Sequence, residues 1–354
     1  MTDLISVRTL TQGGQTAQDV AGELIAFLEA AHHTLDIALY DVRLPGEVGD
    51  AVAGALRAAA ARGVAVRIVF NDDGPRDLDR RPLPPPVRTQ PELLAALGVP
   101  VKAIPSNPDL MHHKFVVRDG EALWSGSTNW TLDSWTKEEN LILMTASAPL
   151  ARVYAQVFAF LWERGHVHGS GDFDTEEIQI GDARVRAWFS PGRGEALSHR
   201  IADAITGAQR RVRIASPVLT ARPVLAALDA VGTAGTLDVA GVCDATQVRE
   251  VFRQWQANPV PSPKLAVLER VLTSAHFTGK RSTPYAPGAV HDYMHAKVTV
   301  ADDTVFAGSF NLSRSGEMNA ENVLEIHDAA LAERFASFID AIRASYPDAV
   351  AVPH

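Results

Sequence analysis

Cysteine occurs once in this chain of 354 residues, lysine only six times, and long apolar runs not at all. Each shortage excludes something. The lone Cys243 forms no internal disulfide, so nothing staples the fold and nothing calls for an oxidising compartment. No uninterrupted apolar stretch approaches the roughly 20 residues that cross a bilayer. The opening MTDLISVRTLTQGGQ also has no basic patch ahead of an apolar segment. The expectation is a cytosolic protein, or one held peripherally at a membrane. Net positive charge is missing too: at -9 the chain is poorly suited to coat nucleic acid, although a local basic cleft is compatible with that total.

The lysine shortage is the most informative. Of 33 basic residues only Lys102, Lys114, Lys137, Lys264, Lys280 and Lys297 are lysine. A chain that otherwise uses Arg keeps Lys where a compact ammonium is wanted rather than a planar guanidinium. Lys114 and Lys297 each stand two residues after a His, His112 and His295.

With 46% hydrophobic and 21% charged residues the composition is globular, and the length suits two packed units: two cores, or one core built twice. Residues 17–31 carry apolar side chains at helical spacing, 34–42 read as a strand, about 47–62 as a helix and 64–70 as a strand. That order predicts an α/β layer with mainly parallel pairing. Residues 71–90, rich in Pro, Asp and Arg, read as an exposed loop; Asp72, Asp73, Asp77 and Asp79 there lack the spacing of a calcium loop. Three late strands and a helix from about Leu150 to Trp162 follow. After a polar, glycine-bearing stretch the series of strands and helices begins again. The division expected is an N-terminal lobe over 1–165, a linker over 166–183 and a C-terminal lobe over 184–354. The excursion from about Asn258 to Val290 reads as a loop beside the second motif, a lid or a surface insertion.

The repeat carries chemistry. The first copy, HHKFVVRDGEALWSGSTNW, holds His112, Lys114, Asp119, Gly126, Ser127 and Asn129; the second, HAKVTVADDTVFAGSFNL, holds His295, Lys297, Asp302, Gly308, Ser309 and Asn311. A Glu-Asn pair begins ten residues past each motif asparagine, at Glu139 and Glu321. Alternate strand residues share a face, so each His and its Lys project together, and two such faces make one pocket. Two imidazoles, two ammonium groups and two carboxamides suit an anionic tetrahedral centre that gains charge in its transition state. Lys114, Lys297, Asn129 and Asn311 are expected to donate to phosphate oxygens. One histidine attacks phosphorus and the other protonates the leaving oxygen. Glu139 and Glu321 are the candidate carboxylates behind the two imidazoles. Ser127 and Ser309 are candidate phosphate donors or backbone turn residues. Asp119 and Asp302, at strand ends, are assigned to turn hydrogen bonds. His113 faces away from the site, and His166 and His168 form only a weak metal signal; no metal ligands are assigned.

These paired motifs resemble the HKD signatures of the phospholipase D superfamily, HxKxxxxD followed by GSxN, and both copies are complete. The resemblance implies a duplicated α/β/α sandwich of two pseudo-twofold related lobes, each with a mixed sheet, and an active site at the lobe interface. It also implies a phosphohistidine intermediate, with His112 the nucleophile and His295 the general acid, and no cofactor. The substrate is a phosphodiester. The family resemblance leaves a phospholipid, with hydrolysis or phosphatidyl transfer, or a nucleic acid as the alternative. Cardiolipin synthases in that superfamily usually carry N-terminal membrane spans, which this sequence does not show. Trp130, Trp135, Phe277 and Tyr285 are candidates to meet a lipid interface. Arg76, Arg80, Arg81, Arg88, Lys280 and Arg281 are candidates to track a nucleic-acid backbone. No obligate protein partner is implied, and a non-catalytic scaffold would be expected to show a damaged motif.

Overall fold

The computed structural model describes residues 5–72, 94–106, 108–257, 262–286 and 288–350. Asp73, Asp77, Asp79, Arg76, Arg80, Arg81 and Arg88 lie outside the described residues. In the first half the strands are β1 (Ile5–Leu10), β2 (Thr34–Leu39), β3 (Val42–Arg43), β4 (Ala65–Asp72), β5 (Val101–Pro105), β6 (Lys114–Arg118), β7 (Ala122–Gly126), β8 (Trp130–Thr131) and β9 (Asn140–Ala146). They form a seven-stranded sheet in the order β1-β9-β7-β6-β2-β4-β5, with β3 and β8 as a small separate pair. The second half follows with β10 (Glu177–Ile180), β11 (Ala183–Ser190), β12 (Arg211–Ala215), β13 (Asp238–Asp244), β14 (Phe277–Lys280), β15 (Val298–Ala301), β16 (Thr304–Gly308) and β17 (Glu321–His327). Its eight-stranded sheet runs β10-β11-β17-β16-β15-β12-β13-β14.

Both sheets are mixed, and the expectation of mainly parallel pairing fails in each. Within the two large sheets parallel pairing is confined to β2-β4-β5 and β12-β13-β14, and the small β3-β8 pair is parallel as well; the motif strands are paired antiparallel to their neighbours. The helix-strand-helix-strand opening does give a parallel pair, but the HKD hairpins then attach to its edge.

Alternation along the strands sorts the core into layers. Phe115 and Val117 of β6, and Leu141 and Leu143 of β9, face a central cluster, while Val116 and Ile142 face the outer helices Ala17–Glu29 and Gly46–Ala61. In the second half Val305 and Ala307, with Leu324 and Ile326, face the same central cluster; Phe306 and Val323 face the outer helices. The central cluster also takes in helices Ala148–Arg164 and Ala329–Ser345, through Tyr154, Phe158, Phe335 and Ile339. The two halves therefore share one core between their sheets, and each keeps a second core on its outer face.

Two expectations change. The stretch assigned to a linker, 166–183, contains β10, which pairs antiparallel with β11 and extends the second sheet. The excursion before the second motif contains the helix Lys264–Ser274, burying Leu268, Val271 and Leu272, followed by the sheet strand β14. The prolines around it obscured an ordinary helical stripe.

Asp119 and Asp302 hold their own lobes together. Each sits at positive φ, 56° and 51°, at the end of its motif strand. Asp119 accepts the backbone N–H groups of His32, His33 and Thr34 at 2.7–2.9 Å, and Asp302 those of Gln209, Arg210 and Arg211 at 2.7–3.0 Å. Burial raises the Asp119 pKa, but the N–H groups of Thr34, His32 and His33 outweigh it and hold the carboxyl below its ordinary value. Asp119→Ala is expected to cost about 2–3 kcal/mol of stability at neutral pH. Because the folded pKa is the lower one, this contribution is present above roughly pH 4 and disappears as pH falls through the folded value. Urea unfolding of wild type and variant at pH 7 and pH 3 checks it: a difference that persists unchanged into acid would sink the assignment.

Candidate active site

Each motif histidine lies just before its strand and is clamped there by the opposite lobe. The His112 N–H donates to the carbonyl of Ala320 at 2.9 Å, and the His295 N–H to the carbonyl of Glu139 at 3.1 Å. The lysine two residues on curls back: Lys114 Nζ donates to the His112 carbonyl at 2.6 Å and Lys297 Nζ to the His295 carbonyl at 2.5 Å. All four side chains are buried or nearly so. Charge on Lys114 and on His112 acts on His295, and Lys297 acts on His112, so the two motifs form one site at the lobe interface.

The imidazoles are oriented by crossed relays. His112 Nδ1 stands 2.7 Å from Glu321 Oε2, which also accepts the Ser309 hydroxyl at 2.6 Å. His295 Nδ1 stands 3.0 Å from Asn140 Oδ1, which also accepts the Ser127 hydroxyl at 2.7 Å. Each lobe thus supplies the serine and the acceptor that hold the other lobe's histidine. Gly126 and Gly308 precede these serines because the adjacent strand leaves no space: a Cβ would stand 2.2 Å from the Leu141 carbonyl oxygen in one copy and 2.1 Å from that of Asn322 in the other.

That equivalence corrects the expected role of Glu139. Ser127 Oγ accepts the N–H of Leu141 and Ser309 Oγ that of Asn322. Structurally, then, Asn140 matches Glu321 and Glu139 matches Ala320; the loop after the motif asparagine is one residue longer in the first half. Glu139 points away from the histidines. Its carboxylate accepts Lys280 Nζ at 2.8 Å and the Tyr346 hydroxyl at 2.7 Å. The sequence reading missed both Asn140 and Glu138, which lies 3.4 Å from His295 Nδ1 and takes hydrogen bonds from Ser134 Oγ at 2.6 Å and Asn140 Nδ2 at 2.9 Å. Counting back from the start of the strand rather than forward from Asn129 is the signal that finds them. Ser127 and Ser309, candidates for phosphate contact, are fully buried and spend their single protons inside the relays.

Burial dominates the electrostatics. It pushes the Glu321 and Glu138 carboxyls up to about 7, against the pull of Lys114 on the first and of Ser134, Asn140 and Lys297 on the second. It lowers Lys114 to about 7 despite Glu321, Asp41 and Glu138, and holds Lys297 well below its ordinary value with the help of the Lys114 charge. Both histidines are held well below theirs, by burial first and the two lysines second. The motif asparagines take matched positions, Asn129 buried and Asn311 half-buried, and each leaves a buried carboxamide oxygen without a hydrogen-bond partner. Trp135 Nε1 donates to the Asn129 carbonyl at 2.9 Å and fixes that residue from behind.

Other candidates fall outside the site. Trp130, Trp135 and Phe277 are 3%, 1% and 1% exposed and belong to the core rather than to a lipid interface. Tyr285 is half-buried against His291. Lys280, 2% exposed, cannot track a nucleic-acid backbone, and Arg281 pairs with Asp348 at 3.2 Å. His113 is buried between the sheets, 3.0 Å from Asn322. His166 and His168 are exposed. Unforeseen was Tyr40, whose ring packs edge-on to His112 at 4.5 Å and under Lys114 Nζ at 4.8 Å.

Both halves match one family model, described as "Cardiolipin synthase, PLD-like domain", over residues 24–162 and 201–343. The human mitochondrial cardiolipin hydrolase is 30% identical over 147 residues, 42% of this chain and 52% of that protein. Its Danio rerio counterpart is 35% identical over 102 residues, 29% of this chain and 41% of that protein. Cardiolipin synthase A of Yersinia pestis is 29% identical over 157 residues, 42% of this chain and 32% of that protein. The matched regions thus span about half or less of these relatives. The fold is similar to phosphatidylserine synthase of Haemophilus influenzae Rd KW20, with TM-score 0.65 and 14% identity over 97% of this chain and 87% of that one. It is also similar to polyphosphate kinase of Porphyromonas gingivalis, with TM-score 0.61 and 13% identity over 96% and 47%. With two complete motifs joined in one interlobe site and the family model matched by each half, the chain belongs to the phospholipase D superfamily, in its cardiolipin synthase-type PLD-like family.

Proposed function

We propose that the chain is a phosphodiesterase of phospholipase D type that hydrolyses or transfers phosphatidyl groups through a phosphohistidine. The observation that carries this reading is the pair of crossed relays, which present two imidazoles and two lysines to one buried site. An ionised Glu321 can only accept, so it places the hydrogen of His112 on Nδ1 and leaves Nε2 free to attack. Nε2 forms a bond to phosphorus, the bond from phosphorus to the leaving oxygen breaks, and that oxygen takes a proton from His295. Water or an alcohol then gives a proton to His295 and displaces His112. The intermediate leaves positive charge on the His112 ring, and a carboxylate in direct contact stabilises it better than a carboxamide; this favours His112 over His295 as nucleophile. An anionic phosphodiester between Lys114 and Lys297 relieves their mutual repulsion. Asn129 and Asn311 can turn their NH2 groups toward it with little change of shape.

Lipid is the favoured substrate. The family description and the named relatives concern cardiolipin, and Lys280, one of the residues assigned to a nucleic-acid backbone, is buried in an ion pair. The test is turnover, with chelator present, of phosphatidylglycerol and cardiolipin vesicles beside labelled single- and double-stranded DNA and RNA. Release of phosphatidic acid or formation of a transfer product, with nucleic acid intact, is the expected result. Lys114 loses its charge above about pH 7, and Glu321 loses its own below about 7, so kcat/KM should be highest near neutrality and fall on both sides. Nucleic-acid cleavage with inert lipid would overturn the substrate. Activity abolished by chelator and indifferent to His112→Ala would overturn the mechanism.

A further inference from the structure

The duplication is broken at one place in the relays. Asn140 occupies the position of Glu321, and Glu138 that of Asn319, whose Nδ2 lies 3.4 Å from Glu321 Oε1. Carboxylate and carboxamide have traded places between the halves: His112 meets a carboxylate directly, while His295 meets a carboxamide with a carboxylate behind it.

Asn140 is held in one orientation. Its Nδ2 donates to the Ser134 carbonyl at 3.1 Å and to Glu138 Oε2 at 2.9 Å, and its Oδ1 accepts from Ser127. A carbonyl oxygen only accepts, so His295 Nδ1 carries a hydrogen and Nε2 is the atom whose proton comes and goes. A carboxamide fixes that tautomer but contributes no charge. The charged or titratable groups that oppose protonation of His295 are Lys297 two residues on, Lys114 and His112 from the opposite motif and His291 from the preceding loop. Glu138, from the turn ahead of β9, is the carboxylate in reach at 3.4 Å, whereas Glu321 is spent on His112.

We infer that Glu138 is the positioning residue of His295: acting past and through Asn140, it supplies the negative charge that lets His295 hold a proton, and by standing off the ring it lets His295 release that proton to the leaving oxygen. The inference rests on the two-histidine reading above. A carboxylate in direct contact suits the histidine that must carry charge through the intermediate. An indirect one suits the histidine that must give its proton away. The inverted pair therefore fits an active site whose two similar halves do different work.

The test is Glu138→Gln in the full chain, which keeps an acceptor for Asn140 Nδ2 and removes only the charge. Turnover is compared on a p-nitrophenyl phosphodiester, whose leaving group needs no protonation, and on phosphatidylglycerol vesicles, whose alkoxide does. The expected result is a loss of roughly 100-fold on the lipid and under about 5-fold on the activated ester, with partial recovery in Glu138→Asp. Equal losses on both substrates would overturn the inference. A second readout needs no turnover: 15N imidazole spectra, with His295 assigned by its disappearance in His295→Asn. The His295 midpoint should fall in Glu138→Gln while the hydrogen stays on Nδ1; an unchanged midpoint overturns the inference. If neither substrate is turned over by wild type, the functional reading fails, and the spectra still decide the role of Glu138.

Discussion

Replacing His112 by Ala is expected to lower turnover of any phosphodiester substrate by roughly 10⁴-fold or more, because on the proposed mechanism it removes the atom that bonds to phosphorus. His295→Ala should be nearly as damaging on lipid, with a different signature. An activated ester needs no proton on its leaving group, so its first step survives, while the second step lacks a base to activate water. His295→Ala should therefore accumulate a phosphorylated His112. Intact mass after mixing with a p-nitrophenyl phosphodiester reads this as an adduct that acid removes and that the double variant lacks. An adduct on another residue, or full turnover without His112, would exclude the two-step reaction.

The second large effect concerns stability. Glu139 and Lys280 are 1% and 2% exposed, 2.8 Å apart, and belong to different lobes. Lys280 Nζ also donates to the Lys137 carbonyl at 2.8 Å and lies 5.3 Å from the Tyr346 ring centroid. Removing one member strands the other as an uncompensated buried charge, so Glu139→Ala and Lys280→Met are each expected to cost about 3–5 kcal/mol. Replacing both by apolar residues of similar volume should cost much less, since no charge is then stranded. Urea denaturation of the two single variants and the double variant measures the coupling. The folded fraction of each single variant should keep wild-type kcat within a few-fold. A variant of full stability with dead chemistry would return Glu139 to the catalytic set.

The motif strands, the duplication and the assignment of Asp119 and Asp302 to backbone turns were legible because they depend on local pattern: an alternating apolar run, a Gly-Ser where strands approach closely, an Asp at a strand end. The carboxylate behind the first histidine, Glu321, was legible by spacing. Its counterpart was not, because one extra residue in the first loop slides the Glu-Asn pair out of structural register while leaving it in apparent sequence register. Lys280 looked like a surface cation because charge type is visible in a sequence and the opposite lobe is not. The helix Lys264–Ser274 was hidden by prolines that bracket it. In the two misses at the site and its ion pair the deciding partner lies far along the chain: 141 residues separate Glu139 from Lys280, and 155 separate Asn140 from His295.

The crossed relays make the active site a coincidence detector. A lobe standing alone has a histidine with no acceptor for its Nδ1 and a serine pair with no histidine to hold, so it possesses parts of a catalyst and no catalytic state. On the proposed mechanism both imidazoles are configured for reaction only when the two lobes are in place together. The same wiring governs how such a sequence can drift. A substitution at Ser127 or Asn140 acts on His295, and one at Ser309 or Glu321 acts on His112, so each copy of the motif depends on the other copy's sequence rather than on its own.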